Sequence, residues 1–427
     1  MIPAIISIAV LLFAIALGVF IYTTLAVNAE ADREQSIVSV PFVEHDPAAF
    51  MRALAGAAGH HVFDGNAITL YQNGVEIFPA LLEGIASAKA SVNFSTFIYE
   101  VGDIPTQFAN AFADAARRGV EVRVVLDGRG SKTILPELIG MMKAAGCKVV
   151  WFRVIRWNTW AKYNHRNHRK LLIVDGTVAF TGGVGIADEW GGNGDSPEHW
   201  RDSHVRVLGP SVAAVQAAFV DNWNAATGEL PVGDAFFPLL PVAGNTQVSA
   251  VQSNPANGTS AAQRSMAVLI AGATKRLWIT NAYFIPSPPF VRALCAAKAR
   301  GVDVKILVPG RYLDEPPVRW ASRRTWRPLL KGGVELLEFQ RTMIHGKIVI
   351  VDSLVSSIGS INFDARSFAL NAEFGIVALD AGLARQFEDA FTDDLRSARR
   401  VVFEDLDHLS IGTRLVDAVC YWIRAQL

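Results

Sequence analysis

No charged residue occurs from Ile2 to Val27, and the first charge is Glu30. Twenty apolar residues at about 1.5 Å each cross a hydrocarbon core of about 30 Å, so the run predicts a transmembrane helix over residues 1–29. A cleaved signal peptide is the alternative, but such peptides open on Lys or Arg and carry a shorter apolar region. Arg33 is outnumbered by Glu30, Asp32 and Glu34, so flanking charge does not orient the span. Residues 30–60 then read as a polar linker with a short helix. Beyond it the pattern alternates. Ala-rich stretches of helical spacing (Phe108 to Arg117, Val291 to Ala299) precede short β-branched runs that end at Gly128 and Gly310. At the far end Ile411, Leu415, Val419, Trp422, Ile423 and Leu427 recur at helical spacing, with Arg414, Asp417 and Arg424 between them. That stretch predicts an amphipathic helix that docks on the preceding domain or lies on a bilayer.

These elements are one unit written twice. Arg118-Gly119-Val120-Glu121-Val122-Arg123-Val124 recurs as Arg300-Gly301-Val302-Asp303-Val304-Lys305-Ile306. Upstream, Ser91 to Ile98 matches Arg276 to Ile285 as a strand entering an aromatic turn. Downstream, His168-Arg169-Lys170 through Asp175 matches His345-Gly346-Lys347 through Asp352. Strands alternating with helices predict an α/β fold with central sheets, and two copies are too few for a solenoid. The expected domains are 61–235 and 243–427, related by a pseudo-twofold axis and joined by the Pro- and Gly-containing segment Leu230 to Gly244.

Composition narrows the class. The 427 residues carry 40 Lys+Arg against 40 Asp+Glu, and 51% are hydrophobic, which excludes a disordered chain. A net charge of zero lacks the basic surplus of a dedicated nucleic-acid binder, so no nucleic-acid partner is expected. Cys147, Cys295 and Cys420 are too scattered for a disulfide framework or zinc site, and His165, His199 and His204 lack metal-ligand spacing, so no metal or other cofactor is expected.

The doubled pattern His-x-Lys-x-x-x-x-Asp is the chemical signal. Residues 170–174 and 347–351 read as buried strands, so His168 and Lys170 share a face, as do His345 and Lys347. Asp175 and Asp352 complete the motif and are counted with the catalytic set, although alternation points them the other way, where they would fix the following turn. Gly182-Gly183 and Gly359-Ser360 would let backbone approach an anion closely, which makes Gly183 and Ser360 candidate phosphate contacts. Two imidazoles and two ammonium groups on one spot suit a phosphodiester: imidazole attacks or protonates, and ammonium stabilises the equatorial oxygens.

These residues resemble the phospholipase D superfamily, which carries the same double motif. The runs Gly359-Ser360-Ile361-Asn362-Phe363-Asp364, Leu370-Asn371-Ala372-Glu373, Ile186-Ala187-Asp188-Glu189 and Trp200-Arg201-Asp202 resemble its bacterial cardiolipin synthase branch, over about Asp64 to Arg400. The resemblance implies two phospholipase D-like α/β/α sandwich domains and a metal-free, two-step phosphatidyl transfer through a phosphohistidine. It implies His168 as nucleophile and His345 as acid and base, with Lys170, Lys347 and Asn362 on the phosphate oxygens. Asp202 and Glu373, which follow the two motifs, match the acids that hold the imidazoles' far nitrogens. Gly185 stands where many relatives have the counterpart of Asn362.

The reading is therefore a membrane-anchored phosphatidyltransferase acting on phospholipids, phosphatidylglycerol first among them, at the cell (inner) membrane and with no obligate protein partner. A hydrolase or nuclease of the same superfamily, with water as acceptor, is the alternative; a scaffold that has lost catalysis is a third reading, opposed by two intact motifs. Trp151, Trp157, Trp160 and Tyr163, with Arg153, Arg156 and Lys162, suit a lipid-facing surface, a basic rim over any phosphate substrate, or inter-domain packing. So do Trp320 and Trp326 with Arg319, Arg323, Arg324 and Arg327.

Overall fold

The computed structural model describes residues 14, 17–26, 28, 46–154, 164–255 and 261–427. Most of the expected N-terminal span, and Arg156, Trp157, Trp160, Lys162 and Tyr163, lie outside the described residues. Among the described residues no helix is long and apolar enough to cross a membrane.

The strands of the first half are β1 (Val62–Gln72), β2 (Ser91–Thr96), β3 (Glu121–Asp127), β4 (Lys148–Phe152), β5 (Leu171–Val174), β6 (Val178–Gly182) and β7 (Ser203–Leu208). The second half supplies β8 (Thr246–Ser253), β9 (Arg276–Asn281), β10 (Asp303–Pro309), β11 (Glu335–Phe339), β12 (Lys347–Val351), β13 (Val355–Gly359), β14 (Glu373–Leu379) and the short β15 (Ala398–Arg400). All join one sheet in the order β15-β11-β10-β9-β12-β13-β14-β8-β1-β7-β6-β5-β2-β3-β4. Apart from β15, the order reads the same way inward from either edge. Where the repeat suggests two sheets, β1 and β8 pair antiparallel and fuse them, with a bulge between Phe63 and Asn66. The fusion has a physical reason: two free edges, each a row of unpaired N–H and C=O groups, are removed at once.

Helices cover both faces. On one side, each half has its own apolar layer, around Phe94, Phe108 and Phe112 in the first and around Phe284, Phe290 and Phe363 in the second. On the other, Val212–Thr227 and Ala381–Leu395 lie over a single layer shared by both halves, from Phe152 and Trp223 to Trp278 and Phe391. The helix Pro47–Ala58, inside the stretch read as linker, buries Phe50, Met51 and Leu54 in the second half's layer.

The motif aspartates act at the far ends of their strands. Asp175 and Asp352 adopt φ of 52° and 54°, followed by Gly176 and Ser353 at 65° and 58°, which makes each a left-handed turn of the kind Asp and Gly tolerate. The Asp175 carboxylate accepts from the backbone N–H groups of Lys89, Ala90 and Ser91. Asp352 accepts from those of Thr274, Lys275 and Arg276 and from the Thr274 hydroxyl at 2.7 Å. Each lies seven positions along a largely extended stretch from its histidine, up to about 23 Å at roughly 3.3 Å per residue. Their place in the catalytic set is thereby corrected: both fasten hairpins.

Candidate active site

The two histidines precede β5 and β12, where each motif loop pairs with a loop of the opposite half. The His168 N–H donates to Ala372 O (2.9 Å) and the Ala372 N–H to Arg166 O (2.8 Å). The His345 N–H donates to Arg201 O (2.7 Å) and the Arg201 N–H to Met343 O (2.8 Å). Ala372 and Arg201 immediately precede Glu373 and Asp202, so this pairing carries each acid across the midline. His168 Nδ1 lies 3.0 Å from both carboxylate oxygens of Glu373, and His345 Nδ1 lies 2.8 Å from Asp202 Oδ2. Each imidazole is held by the acid that follows the other motif, not its own.

The two acids are supported differently. Glu373 accepts from the Ser360 hydroxyl and, at 2.7 Å, from that of Ser367. Ser360 therefore buttresses the acid and is not a free phosphate contact. At the matching position in the first half stands Gly183, where a Cβ would fall 2.2 Å from Asp202 Oδ1. Its N–H is engaged by Ser203 O at 3.2 Å, so Gly183 too serves the carboxylate, by leaving room for it. Asp202 in turn accepts from Trp190 Nε1 (3.0 Å) and the Ser203 N–H (2.7 Å). Trp190 and Ser367 each lie seven residues beyond Gly183 and Ser360, so aligning the repeats past the motif would have found both donors. Gly185 is explained the same way: a Cβ there would lie 2.8 Å from the Ile98 Cβ, in space that Ile98 and Trp190 fill.

Lys170 Nζ donates to His168 O at 3.0 Å, and Lys347 Nζ lies 2.8–2.9 Å from both ring nitrogens of His345. All four groups are buried. Burial lowers the His168 pKa to about 4, against the pull of Glu373; burial and the Lys347 ammonium lower that of His345 to about 3. Burial and mutual repulsion lower Lys170 to about 7, and burial lowers Lys347 to about 8. Burial would raise Asp202, but the His345 hydrogen bond and the nearby cations outweigh it and hold the carboxyl at about 2. Near neutral pH the two imidazoles are neutral and the two carboxylates ionised, while Lys347 is largely an ammonium and Lys170 is close to half protonated.

His168 opens onto a cleft of about 390 Å³. Arg129, Lys132 and Arg166 line it from the first half and Tyr283, Asn362, Asp364 and Arg366 from the second. Asn362 Oδ1 is buried there without a partner. Arg129, Lys132 and Tyr283 were not singled out from the sequence, because nothing in their local pattern marks them. The second Trp-Arg cluster divides: Trp326 is buried and Arg319 and Arg323 pair with the buried acids Glu338 and Asp417, whereas Arg324 is exposed and Arg327 pairs with Asp407 at the surface. Among the described residues no group of three His, Cys, Asp or Glu side chains could hold a metal ion.

The family described as "Cardiolipin synthase, PLD-like domain" matches residues 81–190 and 266–395. The chain is 32% identical to a cardiolipin synthase of Oceanobacillus iheyensis over 84% of its length and 76% of that protein's. It is 31% identical to the major cardiolipin synthase of Bacillus subtilis, over 84% and 75%, and 34% identical to cardiolipin synthase A of Pseudomonas putida, over 85% and 75%. Among solved structures, phosphatidylserine synthase of Haemophilus influenzae shares the fold with a TM-score of 0.66 at 13% identity, over 88% of this chain and all of that one.

Proposed function

We infer the reaction from one premise: the chain belongs to the phospholipase D-like family of cardiolipin synthases. It is a phosphatidyltransferase that passes the phosphatidyl group of one phosphatidylglycerol to a hydroxyl of a second, making cardiolipin and releasing glycerol. The observation that carries this reading is the crossed pair of carboxylate–imidazole contacts beside two ammonium groups.

With the His168 Nδ1–H donated to Glu373, the Nε2 lone pair is free on a residue that lines the cleft, which supports His168 as the nucleophile. Nε2 attacks the phosphorus, the P–N bond forms, and the bond to the glycerol oxygen breaks as His345 gives that oxygen a proton. His345 then takes the proton of the acceptor hydroxyl, whose oxygen displaces His168 and regenerates it. A bound phosphodiester brings negative charge next to Lys170 and Lys347, offsets their repulsion, and draws onto His345 the proton that the empty site withholds. Lys170, Lys347 and Asn362 hold the non-bridging oxygens. Each buried methylene holds the substrate in lipid by about 0.8 kcal/mol, so the acyl chains stay in the bilayer and only the headgroup enters the cleft. A single N-terminal anchor over the uncharged run would keep the enzyme at the cell membrane, where that substrate resides.

Purified protein given phosphatidylglycerol should yield cardiolipin and glycerol by lipid mass spectrometry. His168→Ala and His345→Ala should each lower turnover by at least about 10³-fold. Wild-type turnover in either variant overturns the assignment, and phosphatidic acid as the only product makes water the acceptor.

A further inference from the structure

The amphipathic helix near the C-terminus docks by the face its sequence does not advertise. In Ile411–Trp422 the buried positions are Asp417, paired with Arg323, and Cys420, packed on Ile285, Val318 and Ala321. The apolar stripe is left outside: Ile411 is 88% exposed, Leu415 65%, Val416 42% and Val419 51%. One edge of this helix meets a second apolar surface. Asn28 Nδ2 donates to Trp422 O at 2.6 Å, and the Phe20 ring lies edge-on to Trp422 at 6.3 Å. Thr24 and Asn28 are buried, whereas Leu17, Phe20, Ile21 and Leu25 are exposed. These residues belong to the uncharged run that opens the chain. Just past the helix, Gln426 and Leu427 line the cleft beside His168, and Arg366 reaches the Ala425 and Gln426 carbonyls at 3.4 Å.

We propose that the outer face of Ile411–Trp422 is a lipid-docking surface that lies in the bilayer interface and sets the cleft mouth against the headgroups. The occupant is a lipid surface because the stripe is continuous, through Trp422, with the segment whose lack of charge fits it for the bilayer interior. A tether fixes only distance. A second apolar contact, carried by the helix that runs to the cleft, fixes orientation as well. The Tyr421 ring with the Arg424 guanidinium 4.8 Å above it is a pair suited to the headgroup level. The proposal rests on the phosphatidyl-transfer reading only in that the substrate's chains remain in the membrane.

The test uses the full chain with Leu415→Glu and Val419→Glu together, exposed positions outside the catalytic machinery. Turnover is measured on phosphatidylglycerol in vesicles and on a short-chain phosphatidylglycerol below its micelle threshold. Vesicle turnover should fall by about tenfold or more while short-chain turnover stays unchanged. Equal loss on both substrates, or loss on neither, overturns the proposal. A second measurement holds even if the wild type transfers nothing, an outcome that would refute the functional reading alone. A fluorophore on Leu415→Cys, in a Cys295→Ser background where Cys147 and Cys420 are buried, should be quenched by nitroxide lipids. The same label on Asp389→Cys, on a helix of the opposite sheet face, should not be. Equal quenching at the two positions, or none at 415, refutes docking.

Discussion

Gly183→Ala puts a methyl group in place of a hydrogen at a site that has room for none. An ideal Cβ there would stand 2.2 Å from Oδ1, 2.5 Å from Oδ2 and 2.7 Å from Cγ of Asp202, where ordinary contact begins at 3.4 Å. The carboxylate must therefore retreat by about 1 Å. Its bonds are short: 2.8 Å to His345 Nδ1, 3.0 Å to Trp190 Nε1 and 2.7 Å to the Ser203 N–H. A shift of that size takes at least the imidazole contact out of range, and His345 loses the partner that fixes its tautomer. A 1 Å misplacement costs about 10²-fold and loss of tautomer control about 10⁴-fold, which brackets the effect. At 1.36 kcal/mol per decade the range is about 2.7–5.4 kcal/mol in the barrier. Folding should change little, because the clash is with the end of a side chain. The assay is turnover of phosphatidylglycerol to cardiolipin, alongside thermal unfolding, for Gly183→Ala, Asp202→Ala and the double variant. If the clash acts through Asp202, the double variant is no slower than Asp202→Ala alone. Turnover of Gly183→Ala within about threefold of wild type, or additive losses in the double variant, refutes the reasoning.

Asp352→Ala removes four hydrogen bonds to the Thr274–Arg276 turn and should lower stability by about 2–3 kcal/mol in denaturant titration; turnover per folded molecule should stay near wild type, and a chemical defect without instability would return Asp352 to the catalytic set. Lys170 and Lys347, lowered from 10.5 to about 7 and about 8, lose their protons in the empty site near neutrality. Affinity for a dialkyl phosphate, whose own charge is constant, should therefore weaken by up to about tenfold per pH unit between 7 and 8, where one proton is missing, and by up to about a hundredfold per unit above 8, where both are; a flat inhibition constant from pH 6.5 to 9 refutes the assignment. The unfolded chain binds the extra protons between those values and 10.5, so the same groups make the empty protein's stability rise with pH across that window.

What the sequence disclosed and what it withheld divide along physical lines. The His-Lys pairs sit two apart in the stretches that lead into β5 and β12, and the period-two alternation of extended chain places such pairs on one face whatever the fold around them. The duplicated strand and helix signals are likewise local. The partner of each imidazole is not local: it depends on Ala372 and Arg201 bridging to the opposite motif loop, a contact between residues about 200 positions apart in one case. Gly183 and Ser360 were read as phosphate contacts because a glycine-rich turn beside a motif has that general use. Only the positions of the Asp202 and Glu373 carboxylates reveal that one supplies space and the other a hydroxyl. The fused sheet was equally hidden, since nothing in β1 or β8 marks them as each other's neighbours.

The crossed acids also bear on the time before the chain is whole. His168 is made 205 residues ahead of Glu373. At 5–20 residues per second the ribosome needs roughly 10–40 s to close that gap. Throughout it the emerging first half holds its His-Lys pair without the acid that aims it, and Asp202 waits without an imidazole to serve. A nascent chain made beside phospholipid bilayers is thus without the carboxylate that aims His168 until β14 is in place. Completion of the sheet is the event that switches the chemistry on.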